Sequence, residues 1–349
     1  MLEPGEAERQ GFDHIFEGYG EVAGVKLIMD LLEGKGAEYR VAARETACAE
    51  VCAIKGPSML GIVELSRGCG KGCRYCTAGR MKMGHLGVDT IVADLERNVA
   101  GGITSVVSGS EDLFRYGGKG GKVEFEELRK LLEAMREVEG LSFMQIDHAN
   151  ISSIMQMSDE QLQEVRRLLT WREATDYLWV NMGVESANGD LVAANSGGKL
   201  GEIRADDWED AVRESVARMT RTGFYSVVSL VLGLPGETAA DVARTIKLVE
   251  YLEGQRAVVF PVFYEPIRAE DEEWRFTLDR MRLDHLDLYQ KCYEINFRWV
   301  PRLFWDNQRA GGVSLTKRAL MRMLGKTEVR AWRKTFGEVR EKIGDRRQE

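Results

Sequence analysis

Three of the six cysteines stand in one short stretch, SRGCGKGCRYCTAGR, from Ser66 to Arg80. Cys69, Cys73 and Cys76 follow the spacing Cys-x-x-x-Cys-x-x-Cys, with Gly68, Gly70 and Gly72 interleaved. Glycine lets the backbone bend freely, so the loop can aim three sulfurs at one point. Three thiolates from so short a segment suit a soft metal or an iron–sulfur cluster. Structural zinc wants a fourth protein ligand, and His85 is the only nearby imidazole to complete a Cys3His set. A cubane cluster on three cysteines would instead leave one iron open to a small molecule. Tyr75 adds an aromatic face beside that open position.

Cys69, Cys73, Tyr75 and Cys76 together resemble the Cys-x-x-x-Cys-x-aromatic-Cys signature of the radical S-adenosylmethionine (SAM) enzymes. The resemblance implies a [4Fe–4S] cluster on these cysteines whose open iron chelates the amino and carboxylate groups of SAM. It also implies reductive cleavage of SAM to a 5′-deoxyadenosyl radical that abstracts hydrogen from a substrate. Flavodoxin or ferredoxin would be the electron donor.

Such a loop has to be placed by regular elements, and from Met59 the chain alternates strand and helix. The strand patterns are Gly61–Leu65, Thr104–Ser108, Leu141–Asp147, Tyr177–Glu185, Tyr225–Leu232 and Val258–Tyr264. Helical periodicity fills the intervals at Val88–Ala100, Glu124–Val138, Asp159–Leu169, Asp206–Thr222 and Ala239–Leu252. Strands such as SVVSLVLG are apolar nearly throughout, as in a parallel sheet covered by helices. Six βα units in series fit an open or closed parallel barrel, or a doubly wound sheet. The resemblance selects a partial (β/α)6 TIM-like barrel over 59–267. Residues 1–58 read as an N-terminal linker with a helix at Val22–Leu32. Residues 268–349 read as a helical extension with segments at Asp284–Val300, Leu315–Leu324 and Val329–Ile343, whose aromatics at helical spacing suit a core. Cys48 and Cys52, four apart, read as buried apolar residues on a shared helix face.

Other segments match the same family. Val107–Asp112 (VSGSED) resembles its Gly-Gly-Glu motif, so Gly109, Ser110 and Glu111 are expected to receive the methionyl ammonium of SAM. Gly183–Ser186 (GVES) resembles a Gly-Ile-Glu-Ser segment, which implies Glu185 and Ser186 near the SAM ribose or carboxylate. A carboxylate ending an apolar strand is costly unless paired or facing a cleft, so a salt bridge is the other reading of Glu185. Gly233–Thr238 (GLPGET) is similar to the turn after the fifth strand, which implies Leu232 and Gly233 against adenine. Asp147, His148 and Asn150 form a polar group at the end of the third strand, with His148 a candidate acid or base. Arg115–Lys122 (RYGGKGGK) lacks the phosphate-loop spacing and reads as a flexible loop.

The 349 residues are 44% hydrophobic and 30% charged, as expected for a soluble globular chain of one or two domains. A net charge of −8 argues against nucleic acid as the main partner. No apolar run approaches membrane-spanning length, and no secretory pattern opens the chain, so a reducing cytoplasm is the expected setting. Within the superfamily, GVES, GLPGET and SEDLFRYGG look most like the cobalamin-associated members. Their Asp-x-His-x-x-x-Gly loop has no counterpart here, since Asp13-His14 is followed by Ile-Phe-Glu-Gly. Cobalamin is expected only through a separate cobalamin-binding protein or a missing domain. The leading expectation is a radical SAM enzyme performing methyl transfer, rearrangement or cyclisation on a small organic substrate. Two alternatives stay open: a cobalamin-independent radical SAM enzyme acting on a protein or RNA, and a non-enzymatic zinc- or cluster-binding interaction module.

Overall fold

The computed structural model describes residues 9–36, 38–42, 46–170, 178–310 and 313–345. Six strands in chain order build the centre: β1 (Ile62–Glu64), β2 (Ser105–Gly109), β3 (Phe143–Gln145), β4 (Trp179–Glu185), β5 (Tyr225–Leu232) and β6 (Ala257–Phe263). The longer helices between them are α1 (Val88–Ala100), α2 (Phe125–Arg136), α3 (Asp159–Leu168), α4 (Trp208–Arg221) and α5 (Ala239–Leu252), with the short helices Ile151–Ile154 and Gly189–Ser196 beside them. Strands β1, β2 and β3 form one parallel ladder and β4, β5 and β6 another. A parallel bridge between His148 and Asn181 joins the two, so the strands follow one another in sequence order around a curved sheet. Among the described residues no ladder joins β6 to β1, which leaves a partial, open (β/α)6 barrel.

The elements form where their patterns place apolar side chains on one face. Ile91 and Leu95 of α1, Leu128, Leu131 and Met135 of α2, and Leu162 and Val165 of α3 recur at spacings of three and four and are fully buried. They meet Val63, Val106, Met144, Val180 and Leu230 from the strands in one continuous core. Ser158 caps α3 and Thr238 caps α5, each in a reciprocal capping box. The fourth strand pattern starts at Tyr177, which lies outside the described residues.

Two helices follow the barrel, α6 (Leu283–Ala310) and α7 (Leu315–Asp345). Both outrun their sequence pattern. Helix α6 passes through Pro301, which removes a single N–H donor. Helix α7 is continuous where two segments were expected, because Trp332 and Phe336 dock on Tyr293 and Tyr289 of α6 and outweigh the roughly 1 kcal/mol that Gly325 costs inside a helix. The aromatics of this extension do form a core, with Tyr289 and Tyr293 stacked at 5.0 Å. Asn296 of α6 accepts from the Val259 N–H at 2.8 Å and donates to the Val259 carbonyl at 2.6 Å. It thereby covers backbone groups of the edge strand β6 that would otherwise stay unpaired.

Ahead of the barrel, helix Ala23–Leu32 and a short parallel pair, Ile15–Glu17 with Arg40–Ala42, are present. The Cys48/Cys52 reading needs correcting. Cys48 lies in a single 3-10 turn and is half-buried against Gly84, while Cys52 is exposed, because the chain turns extended at Val51 and no helix face forms. Among the described residues no helix is long and apolar enough to cross a membrane.

Trp208 opens α4, is fully buried and donates from Nε1 to the Ser186 carbonyl at 2.9 Å. Trp208→Ala is expected to lower unfolding free energy by about 3–5 kcal/mol, through the cavity and the stranded carbonyl. Chemical denaturation with unchanged m-value would measure it.

Candidate functional site

The cysteine loop leaves β1 over the C-terminal end of the sheet, where parallel barrels carry their chemistry. Gly68, Gly70 and Gly72 all have φ near +71°. At Gly68 a side chain would also press on the Met81 and Lys82 carbonyls, so the first bend requires glycine. The loop is pinned by Cys69 N–H to the Ala78 carbonyl at 2.9 Å and by Gly72 N–H to the Gly79 carbonyl at 2.8 Å. Cys69 and Cys73 are buried and Cys76 is half-buried. Tyr75, between them, bonds Ser196 through its hydroxyl at 2.9 Å and sits edge-on to Tyr264.

All three thiols lie within electrostatic reach of one ammonium, that of Lys199, whose side chain is 12% exposed. Burial pulls Lys199 below the ordinary lysine range, while Cys73, Cys69 and Cys76 act to raise it. Its direct partner is Glu185, 4% exposed, in a buried ion pair. Glu185 ends β4 with φ of +65°, beside a register shift against β5. Gly183 completes the seat, since a Cβ there would collide with the Lys199 amine. The GVES segment is therefore built around a lysine that the sequence reading missed. Lys199 follows Gly197-Gly198 in a polar run, and nothing in that run marks a buried cation.

The other expected residues separate into groups. Gly109 closes β2 against Glu64, and Ser110 bonds Ser66 at 2.7 Å between hydroxyls. The Glu111 carboxylate has no ion-pair partner among the described residues, so it is free to take one. Asp112, fully buried, accepts from Ser153 Oγ at 2.6 Å and Asn150 Nδ2 at 3.0 Å, which fixes the end of β3 to that of β2. Ser186 is turned outward: its hydroxyl lies 3.3 Å from Thr245 of α5 and accepts from the Asn188 N–H, away from the thiols. Leu232 is fully buried at the end of β5. Gly233 has φ of +76° and lies flat against the Phe276 ring, leaving no room for a side chain. Its N–H donates to Glu237 Oε2 at 2.9 Å, and the same oxygen meets His285 Nε2 of α6 at 2.8 Å. The C-terminal extension thus fixes the turn after β5.

The donor set favours a cluster over a lone ion. His85, the zinc alternative's fourth ligand, is engaged through Nε2 with the Gly118 carbonyl at 3.1 Å, and burial lowers its pKa. A cluster on three thiolates would need no fourth protein ligand. Burial pushes the Cys69 thiol up to about 11, with Asp112 adding to it, so its ionisation awaits metal. The three thiols, the free Glu111 and the buried Lys199 fit a cluster with one open iron.

The loop Arg115–Lys122 differs from its sequence reading. It is folded, with turns closed by Gly118 N–H to the Arg115 carbonyl and Lys122 N–H to the Lys119 carbonyl. Arg115 is buried and donates from Nη1 to the Cys69 carbonyl at 2.9 Å. Like Lys199, it is a cation beside the cysteines that sequence pattern alone did not place there.

An open six-strand parallel barrel with a three-cysteine loop after its first strand defines the class: a cluster-bearing α/β barrel. A family model described as the radical SAM superfamily matches residues 63–249, more than half of the chain, and the chain belongs to that superfamily. It is an enzyme of that kind, and its cofactors are a [4Fe–4S] cluster and SAM. Among similar curated proteins is the ribosomal protein uS12 methylthiotransferase RimO of Trichlorobacter lovleyi. It is 25% identical over 208 residues, covering 58% of this chain and 42% of the relative. The RimO of an Anaeromyxobacter species (strain Fw109-5) is 26% identical over 211 residues, covering 58% and 40%. The chain thus spans about two-fifths of the length of these relatives. In fold it is similar to the radical SAM methyltransferase TsrM from Kitasatospora setae, with TM-score 0.53, 15% identity, and 73% of this chain and 52% of that one covered.

His148 lies with Nδ1 3.2 Å from Asp147 Oδ2. Burial works against its charged form, yet the Asp147 and Glu111 carboxylates outweigh it and hold the pKa above 6.5. A raised pKa stabilises the fold below the unfolded-state value and loses that contribution as pH rises through the folded one. The His148 imidazole in an NMR titration is expected to titrate above 6.5, and to fall towards or below it in Asp147→Asn.

Proposed function

We propose that Cys69, Cys73 and Cys76 hold the [4Fe–4S] cluster and that Glu111 receives the methionyl ammonium of SAM, with Gly109 and Ser110 shaping that corner. The observation that carries this reading is the three-cysteine loop after β1, with Cys69 and Cys73 buried and the loop pinned by the Cys69 and Gly72 N–H groups on the Ala78 and Gly79 carbonyls. When bound, the cluster and SAM supply a 5′-deoxyadenosyl radical. The chain's own part is geometry. Glu111 offers an unpaired carboxylate to a cation. Lys199 offsets thiolate charge, and Glu185 keeps that lysine in place. The half-buried backbone at Gly233 is the face offered to adenine, with Leu232 packed behind it. His148 carries a proton on a ring held by Asp147, just past the end of β3. The barrel we assign is 59–267, flanked by 1–58 and by the extension 268–349.

The reaction we favour is methyl transfer or carbon-skeleton chemistry on a small organic substrate, with electrons from a flavodoxin- or ferredoxin-like donor. A protein substrate is the second reading, and the names of the curated relatives, which act on a ribosomal protein, support it. Cobalamin enters either reading only through another chain or domain.

Anaerobic reconstitution with iron and sulfide, dithionite reduction and SAM addition test the assignment. About four irons per chain and 5′-deoxyadenosine are expected from the wild type. Cys76→Ala is expected to lose most of the iron and all of the deoxyadenosine. One tightly held zinc in place of iron would reject the reading.

A further inference from the structure

A cavity of about 700 Å³ opens beside the Cys69–Lys71 segment of the cysteine loop. Cys69 lines it, but none of Glu111, Glu185, Leu232 or Gly233 does, so the residues proposed for SAM lie outside its walls. Its walls come from the loops after β1, β2, β3 and β4, and five of the side chains on them are cations: Lys71, Lys82, Arg115, Lys119 and Lys122. The one carboxylate on the lining, Glu202, is already paired with Lys122. Among the described residues neither Lys82 nor Lys119 has a carboxylate within ion-pair distance, and both are exposed at the rim.

The floor is more constrained. Lys71 is 5% exposed and donates to Ser152 Oγ at 2.9 Å; Arg115 is 8% exposed and spends Nη1 on the Cys69 carbonyl. Each has further donors that these bonds do not use. Between rim and floor runs the turn Gly117–Gly121, folded tightly enough that a side chain at Gly118 would strike the Lys122 carbonyl. The N–H groups of Lys119, Gly120 and Gly121 make no backbone bond among the described residues. The buried Asp112 carboxylate acts on Lys71 and Arg115 from behind the floor and Glu202 holds Lys122, which leaves Lys82 and Lys119 uncompensated. Cations in excess of carboxylates, beside free backbone donors, suit an oxyanion that accepts from several directions. The volume exceeds what a bare ion needs and lies in the range of small-molecule pockets.

We propose that this cavity binds a phosphorylated small molecule, its phosphate held by Lys71, Arg115, Lys82 and Lys119 and its organic body resting against the outer face of the Cys69 segment. An acidic protein docking on the same cations is the rival occupant. A concave site with two buried cations at its floor favours a ligand small enough to enter it.

The test is calorimetric titration of the cluster-loaded full chain with inorganic phosphate at fixed ionic strength, which removes general charge screening as a variable. The wild type is expected to bind saturably. Lys82→Glu/Lys119→Glu is expected to bind at least tenfold more weakly, with iron content and melting temperature unchanged. Lys317→Glu, the same kind of charge reversal on exposed α7, is expected to behave as wild type. No saturation by the wild type, or equal binding by all three proteins, would overturn the proposal. So would slower reduction of the double variant by flavodoxin in a protein that binds no phosphate, which would assign the surface to an acidic protein.

Discussion

Lys199 sits largely out of water against the Glu185 carboxylate, and a buried ammonium needs its partner at close range or it loses its charge. Glu185 supplies the partner by taking a left-handed backbone conformation, at a cost of roughly 1–3 kcal/mol for a residue with a side chain. The ladder slips by a residue at that point, which frees the end of β4 from the pairing that would forbid the conformation. Gly183, two residues earlier, has to be bare for the amine to approach the strand. Two positions of one strand end, and the slip between them, are thus spent on holding a single charge. That charge faces the thiols. Strain of this kind persists where the surrounding structure over-determines it.

An open barrel has two edges to manage, and the C-terminal helices manage one of them. Asn296 satisfies both backbone groups of Val259 on β6, so α6 behaves as a polar cover for the edge as well as an apolar one. The same helix sends His285 to Glu237, which in turn holds the Gly233 N–H. Edge protection and turn geometry therefore share one element. This gives the extension a part in the site although none of its aromatics reaches the cysteines. Those rings pack on one another between α6 and α7.

The strand and helix alternation was legible because each element buries one continuous face, so apolar spacing and burial carry the same information. Ile91, Leu95, Leu128, Leu131 and Leu162 illustrate it. The cysteine loop was legible because its chemistry needs fixed spacing. Buried cations leave no such trace. Lys71, Arg115 and Lys199 are spaced like surface residues and become interior only when loops from four strands meet above the sheet. Glycine-rich sequence misled at Arg115–Lys122, where the glycines serve close packing on Lys122 and Glu127. Ser186 shows the converse limit. Its neighbour Glu185 faces the site, and the left-handed turn sends the serine to the helix layer, a reversal that residue types alone do not encode.

Charge balance ties the thiols to whatever they bind. Around them stand Lys71, Arg115 and Lys199, against Asp112 and Glu185. Ionising all three thiols in place would leave anions in excess in a region from which water is largely excluded, which is why burial raises the Cys69 thiol. Metal ions reverse that arithmetic by bringing positive charge to the sulfurs themselves. Loading the loop then expels protons, so occupancy and thiol ionisation rise together with pH. The protein cations need only trim the remainder. Three lysine or arginine side chains close to the cysteines, each anchored to a hydroxyl, a carbonyl or a carboxylate, are enough for that, and their anchoring keeps them from collapsing onto the thiols before metal arrives.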